Sequence, residues 1–244
     1  VPVEIGLRDQ VEGGAGFASS SRASELPAAE VASVFETRLC QTIESYDSNA
    51  ETYAERFQFV DLGEDRRRFL QHLPKSTALV LDAGCGPGRD LGFFARDGFR
   101  AIGLDKSAEL LRIARSAGHA VIRGDLRDLP FESGSFAGIW ACASLVHLPD
   151  AELSRALAEF KRVLRPGGSL FVSVRHGCGI EERFDPSGHR RWFYLYTAPE
   201  IRRLLLESGF VDIDAEVEPG AAHGTWINAH ARSAYDSDNI ADAW

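Results

Sequence analysis

The 244-residue sequence predicts an α/β fold: a doubly wound, mostly parallel sheet of seven strands whose last strand runs antiparallel. Three observations predict it. Short apolar runs alternate with amphipathic helical segments from residue 78 to 175, the pattern of βαβ units. A glycine-rich turn, Gly84-Cys85-Gly86-Pro87-Gly88, stands between the first of these runs and the helix after it. Two further apolar runs near the C-terminus are close enough in sequence to pair antiparallel.

The elements follow in order. Residues 1–25 are rich in Gly, Ser and Ala without periodicity, and read as a loosely docked extension. From Pro27 to about Ser45, Val31, Val34, Phe35 and Leu39 recur at helical spacing. Asp47 is a good N-cap for a second helical segment that carries Tyr53, Phe57 and the later Phe69-Leu70. Ala78–Leu81 is a strand ending at Asp82, residues 89–97 are a helix, and Arg100–Leu104 is a strand ending at Asp105. Ala108–Ala117 is helical, and His119–Arg123 is a strand ending in Gly124-Asp125. Phe136–Ala143 is the next strand, and Asp150 caps a helix that Arg165-Pro166-Gly167-Gly168 ends. Ser169–Val174 is a strand, 176–196 is irregular, and Pro199–Ser208 is helical. Phe210–Val217 and Thr225–Ala231 are the final strands, before a polar tail at 233–244. The chain divides into an extension at 1–45, a main domain at 46–232 with an insertion at about 176–196, and that tail.

Composition narrows the function. There are 36 acidic and 27 basic residues, a net charge of −9, which argues against a protein that coats nucleic acid. Only Lys75, Lys106 and Lys161 are lysines, and the other bases are arginines. Cys40, Cys85, Cys142 and Cys178 have neither metal-ligand nor redox spacing, so no metal site is expected. Apolar runs are too short to span a bilayer, and no secretory signal pattern stands at the start. The expectation is a cytoplasmic protein, monomer or homodimer, that acts on small molecules without membrane or nucleic-acid partners.

The glycine-rich turn is the strongest local signal. Its spacing is G-x-G-x-G, Pro87 removes an amide donor, and Asp82 places a carboxylate beside it. A pyrophosphate would be repelled there and a nucleoside with a cationic group attracted. Asp105, 17 residues after Gly88, can accept both hydrogen bonds of a ribose diol. Asp125 can accept from an adenine amino group, with Leu126 packing on the ring. Three carboxylates at consecutive strand ends beside a glycine loop are hard to explain as helix caps alone.

Together, Leu81-Asp82-Ala83-Gly84-Cys85-Gly86-Pro87-Gly88, Ile102-Gly103-Leu104-Asp105, Gly124-Asp125-Leu126 and Val163-Leu164-Arg165-Pro166-Gly167-Gly168 resemble the class I S-adenosylmethionine-dependent methyltransferases. The chain is most similar to their small-molecule branch, which includes ubiquinone- and menaquinone-biosynthesis-like enzymes, from about Tyr46 to Ala231. The resemblance implies a Rossmann-like fold with S-adenosyl-L-methionine as cofactor. It puts Asp82, Gly84, Gly86 and Gly88 at the methionine part, Asp105 at the ribose, Asp125 and Leu126 at the adenine, and Lys106 among the cofactor-binding residues. Ala141 and Cys142 would line the same pocket, Tyr46 and Tyr53 would close over it, and residues 26–45 would form a helical lid.

His147, just past the fourth strand, is the candidate general base for an O or N acceptor. The insertion carries arginines among aromatics, so Arg175, His176, Arg191, Trp192, Tyr194 and Tyr196 are the candidate acceptor residues, forming an apolar slot with an anion clamp. The readings that compete with a small-molecule methyltransferase are an RNA (wobble nucleoside) methyltransferase, a non-catalytic cofactor-binding regulatory subunit and, on the loop alone, a nicotinamide dehydrogenase.

Overall fold

A computed structural model describes residues 28–60, 62–74, 77–219 and 224–235. The expected loose extension at 1–25, and the tail beyond residue 235, lie outside the described residues. Three helices come first: α1 (Ala28–Ser48), α2 (Ala50–Phe57) and α3 (Gly63–Leu70). The alternating core follows, with β1 (Leu79–Ala83), α4 (Arg89–Arg96), β2 (Arg100–Asp105), α5 (Ala108–Ser116), β3 (Val121–Arg123) and β4 (Phe136–Cys142). Then come α6 (Asp150–Val163), β5 (Leu164–Arg175), β6 (Gly179–Phe184), β7 (Arg190–Leu195), α7 (Ala198–Glu207), β8 (Phe210–Pro219) and β9 (Thr225–Ser233).

The main sheet has seven strands in the order β3-β2-β1-β4-β5-β9-β8. Neighbours from β3 through β5 pair parallel, and β9 runs antiparallel to both β5 and β8, as the sequence predicts. The order reverses direction at β1, so the crevice at the carboxyl ends of β1, β2 and β4 is the topological switch point where ligands bind in such sheets. The central strands read as continuous apolar runs because helices cover both faces. Leu81 and Ile139 bury into the layer with α6 and α7, while Val80 and Trp140 bury into the layer with α3 and α4. In the second layer Trp140 stacks on Phe171 at 3.9 Å between ring centroids, and Phe69 and Phe94 close around the pair.

Four local expectations are corrected. Asp47 does not cap a helix of its own; it lies inside α1, and its carboxylate accepts from Ser107 Oγ and Glu109 N at the start of α5. The chain breaks instead at Asn49, and Phe69-Leu70 belong to a separate helix, α3. Asp150 is the first residue of α6, whose cap position is Pro149, and pairing with β4 begins directly at Leu164. Residues 176–196 are not irregular: β6 and β7 form a two-stranded antiparallel hairpin. Its alternating charged and aromatic residues hide a period of two that a count of residue types misses.

Candidate active site

The glycine loop leaves β1 and folds back on β2, where Gly84 N and Cys85 N both donate to the Leu104 carbonyl, at 2.7 and 3.0 Å. Gly84 has φ +85°, and a Cβ there would stand 2.2 Å from Ser144 Cβ. The close approach of the two loops therefore requires glycine. A Cβ at Gly86 would meet nothing nearer than 3.9 Å, because that residue faces an open cleft. Gly88 does not line the cleft: a Cβ there would stand 2.7 Å from His119 Cδ2, so this glycine lets the end of α5 pack against the start of α4.

The cleft has about 710 Å³ of empty space, part of it open to solvent, and holds most of the expected nucleoside residues. Asp105 is at its centre. One oxygen accepts from Gly86 N at 2.8 Å and the other from Ser107 N at 2.9 Å. Each carboxylate oxygen can accept twice, so both keep a lone pair for a diol. Burial raises the Asp105 pKa, opposed by these backbone amides. Asp125 is differently placed. Burial works to raise its pKa, but Arg127 and Lys106 outweigh it and hold the carboxylate far below its usual range. Lys106 Nζ and Arg127 Nη2 sit on one oxygen, and Arg127 N and Nε on the other. An adenine amino group reaches that carboxylate only where Lys106 yields. Leu126 and Cys142 also line the cleft, whereas Ala141 is wholly buried in the core and does not; Ala143 and Ser144 take its expected place.

Asp82 is buried behind the loop, outside the lining of the cleft, with Oδ2 lacking a hydrogen-bond partner among the described residues. Burial raises its pKa well above the carboxylate range, and the nearby charge of Asp90 raises it further. Asp90 is satisfied by Arg89, at 2.6 Å from Nη2 and 3.1 Å from Nε, and by Trp140 Nε1 at 3.0 Å. Asp90 is thus paired, and the Arg89 charge also offsets part of the burial effect at Asp82. A buried carboxylate oxygen without a hydrogen-bond partner among the described residues, an open face at Gly86 and the spare acceptors of Asp105 fit a nucleoside with a cationic tail.

Tyr46 and Tyr53 close the cleft edge to face, with ring centroids 5.1 Å apart at 87°. His147 stands behind Tyr46. The Tyr46 hydroxyl donates to Nε2 at 3.0 Å, and Nδ1–H donates to the Trp192 carbonyl at 2.7 Å. Both ring nitrogens are engaged, and burial lowers the pKa to about 4. A buried neutral histidine has a calculable effect on the fold. Because the folded pKa lies below the ordinary value of about 6.5, stability is intact above that pH and is lost as pH falls toward 4. His147→Gln removes this term. Denaturant unfolding at pH 7.5 and 4.5 should show the wild type losing roughly 2–3 kcal/mol more than the variant.

A second chamber opens from the first across Tyr46, Tyr53, Gly84, Gly86, Cys142 and Ala143. Its floor is the β5–β9–β8 edge, with Arg175, Trp226 and Glu218 adjacent across the strands. Its roof is the hairpin, which presents Arg183, Arg191 and Phe193. Arg175 and Arg183 each stand over Phe193, at 5.6 and 5.7 Å. The Nε atoms of Arg175 and Arg191 are buried without a hydrogen-bond partner among the described residues. At the junction, Ala143 has φ +56°, a strained conformation of the kind that collects at functional sites.

The other expected acceptor residues lie elsewhere. Trp192 points away from the chamber, donating to Thr42 Oγ1 and Gln41 Oε1 on α1 with Arg38 over its ring. Tyr194 packs on Phe35 in the core, and the buried Tyr196 donates to the Leu148 carbonyl. His176 pairs with Thr225 outside the lining. Side chains alternate along a strand, so Arg191 and Phe193 share the chamber face while Trp192 and Tyr194 share the α1 face. Read as a strand, residues 190–195 give this alternation. Nothing local in the sequence points to Trp226, Arg183 or Glu218.

The sequence pattern of a family described as a methyltransferase domain matches residues 80–168. The chain is 32% identical over 171 residues to a protein of Encephalitozoon cuniculi named "Putative methyltransferase", covering 62% of this chain and 79% of that one. It is 31% identical over 171 residues to a malonyl-[acyl-carrier protein] O-methyltransferase of Herminiimonas arsenicoxydans, covering 67% of this chain and 62% of that protein. Its fold is similar to the crystal structure of a Burkholderia thailandensis 1,6-didemethyltoxoflavin-N1-methyltransferase with bound 1,6-didemethyltoxoflavin and S-adenosylhomocysteine. The TM-score is 0.63 at 23% identity, covering 88% of this chain and 93% of that one.

Proposed function

This chain belongs to the class I S-adenosylmethionine-dependent methyltransferases, and we propose that it methylates an oxygen or nitrogen of a small acceptor that bears an acid group. One observation carries the acid: the buried Nε atoms of Arg175 and Arg191, without a hydrogen-bond partner among the described residues, in an aromatic chamber that opens onto the glycine loop. A buried N–H without a hydrogen bond is costly, and an anion offsets that cost at both arginines, beside the ion pair that Arg175 Nη2 makes with Glu181 at 3.3 Å. The named acceptor of the Herminiimonas relative carries a malonyl group, which is an acid, and this agrees with the reading.

Bound S-adenosylmethionine supplies a methyl group already activated on a sulfonium, so this chain's residues mainly position and exclude water. Asp105 holds the ribose, Leu126 packs on the adenine, and Asp82 faces the cationic end. Tyr46 and Tyr53 cover the junction of the two chambers, where acceptor and methyl group meet. Phe193 and Trp226 shape the slot, and Arg175 and Arg191 hold the acid as an anchor. His147 acts through Tyr46: its Nε2 lone pair faces the Tyr46 hydroxyl, so an acceptor proton reaches it only by way of that hydroxyl.

A labelled-methyl screen over matched acid and neutral acceptors, with phenols, amines and tRNA included, tests the reading. Acid-bearing compounds should be methylated with the higher kcat/KM. Arg191→Ala should reduce kcat/KM for them by about 10- to 100-fold, the worth of one charge-assisted hydrogen bond, and leave the neutral analogues within about threefold. A preference for neutral acceptors removes the anion anchor, and methylation of tRNA alone replaces the small acceptor.

A further inference from the structure

One turn of helix, Ser45–Asn49, touches both halves of the site. On the hairpin side, the Asp185 carboxylate is 7% exposed. It accepts from Ser45 Oγ and Asn49 Nδ2 at 2.6 Å each, and from Ser187 N and His189 N at 2.8 and 2.9 Å. Ser187 Oγ returns a bond to Asn49 Oδ1 at 2.9 Å. The β6–β7 turn is thereby fastened to the α1–α2 break, and Trp192 fastens the hairpin strand to α1 at Gln41 and Thr42. On the cofactor side, Asp47 Oδ1 accepts from Ser107 Oγ and Glu109 N. The Ser107 amide in turn donates to Asp105 Oδ1. Ser107 is fully buried, and Asp47 and Glu109 are half-buried, so these bonds are partly shielded from water.

The hairpin and α1 therefore move as one piece, and Asp47 joins that piece to the strand end that holds the ribose. We propose that the turn Ser45–Asn49 transmits cofactor binding to the acceptor hairpin, with Asp47 and Asp185 as its positioning residues. A ribose on Asp105 fixes the Ser107 turn, Asp47 fixes α1 on that turn, and Asp185 fixes the hairpin roof on α1. The acceptor chamber then gains its final shape only after the cofactor is in place, a coupling free energy between two sites. The inference rests on the hairpin being the acceptor roof. The acceptor screen tests that premise, whereas the coupling is read without any acceptor, so the two can fail separately.

The test is amide hydrogen exchange with saturating S-adenosylhomocysteine as the probe. In the wild type, the ligand should slow exchange across residues 179–195 by about threefold or more, together with residues 84–88. In Asp47→Ala, protection of 84–88 should persist and protection of 179–195 should fall to the unliganded level. Asp47→Asn should restore it, because an amide oxygen can accept the same two bonds. Asp185→Ala should lose hairpin protection with the Asp47 joint intact. Ser107→Ala, which removes the hydroxyl donor to Asp47 and with it the α5 cap bond from Leu110 N, serves where Asp47→Ala fails to fold. Hairpin protection that survives Asp47→Ala or Ser107→Ala, or that is missing in the wild type, overturns the proposal.

Discussion

Asp105→Ala should weaken S-adenosylmethionine binding by at least about 100-fold, measured by titration calorimetry. The carboxylate has two oxygens, each holding one backbone amide and each with an acceptor site to spare. Hydrogen bonds to a charged group contribute about 1.5–3 kcal/mol each, and two of them to a ribose diol account for about two decades of affinity or more. The substitution also strips the Gly86 and Ser107 amides of their partner, which loosens the glycine loop and the start of α5 together. Asp105→Asn separates the two effects. It keeps an acceptor oxygen but cannot serve both the amides and both hydroxyls, so a loss nearer tenfold is expected. Affinity within threefold of wild type in Asp105→Ala would refute the ribose role.

Asp82→Asn should move stability and binding in opposite directions. The Asp82 carboxylate is buried with one oxygen lacking a hydrogen-bond partner among the described residues, close enough to Asp90 to feel its charge. Its folded pKa is raised above the unfolded value. The stability it contributes is therefore complete below the unfolded carboxylate pKa of about 3.9 and is lost as pH rises through the folded value. Unliganded Asp82→Asn should accordingly melt higher than wild type at pH 8, with a smaller advantage at pH 5. Binding should weaken at least tenfold, because the residue that compensates the cationic end of the cofactor is gone. Calorimetry with both S-adenosylmethionine and S-adenosylhomocysteine locates the contact. Equal losses place Asp82 at the ammonium group common to both, and a larger loss for the methylated form places it at the sulfonium. A variant that binds both as tightly as wild type, or melts lower at pH 8, contradicts the assignment. The raised carboxylate thus marks a site where the fold gives up stability to hold charge.

The cleft beside the glycine loop was legible because it is local. Glycines that must take positive φ, carboxylates that end strands and the leucine after Asp125 are each fixed by their own strand and the turn after it. A strand–turn–helix unit puts those residues at one sheet edge whatever the rest of the chain does. The limits of that reading are also local. Gly88 sits in the same motif but serves helix packing, and Ala141 sits one residue too far inside its strand.

The second chamber was legible only at Arg175 and Arg191, and the reason is distance along the chain. Arg175, Arg183, Arg191 and Trp226 come from four separate strands and converge only when β9 inserts antiparallel beside β5 and the hairpin folds over them. A pairing register sends alternate residues to opposite faces, so it decided that Arg191 and Phe193 look into the chamber and Trp192 and Tyr194 look away. The same holds for His147, which the sequence placed at the right edge but whose ring nitrogens were claimed by Tyr46, 101 residues earlier, and by Trp192, 45 later. The sequence by itself determined a doubly wound sheet and a nucleoside seat, because short-range backbone chemistry specifies both. Only the tertiary structure decided which side chains face the second chamber and which partners the buried carboxylates and imidazoles find, because burial and register are properties of contacts between distant segments.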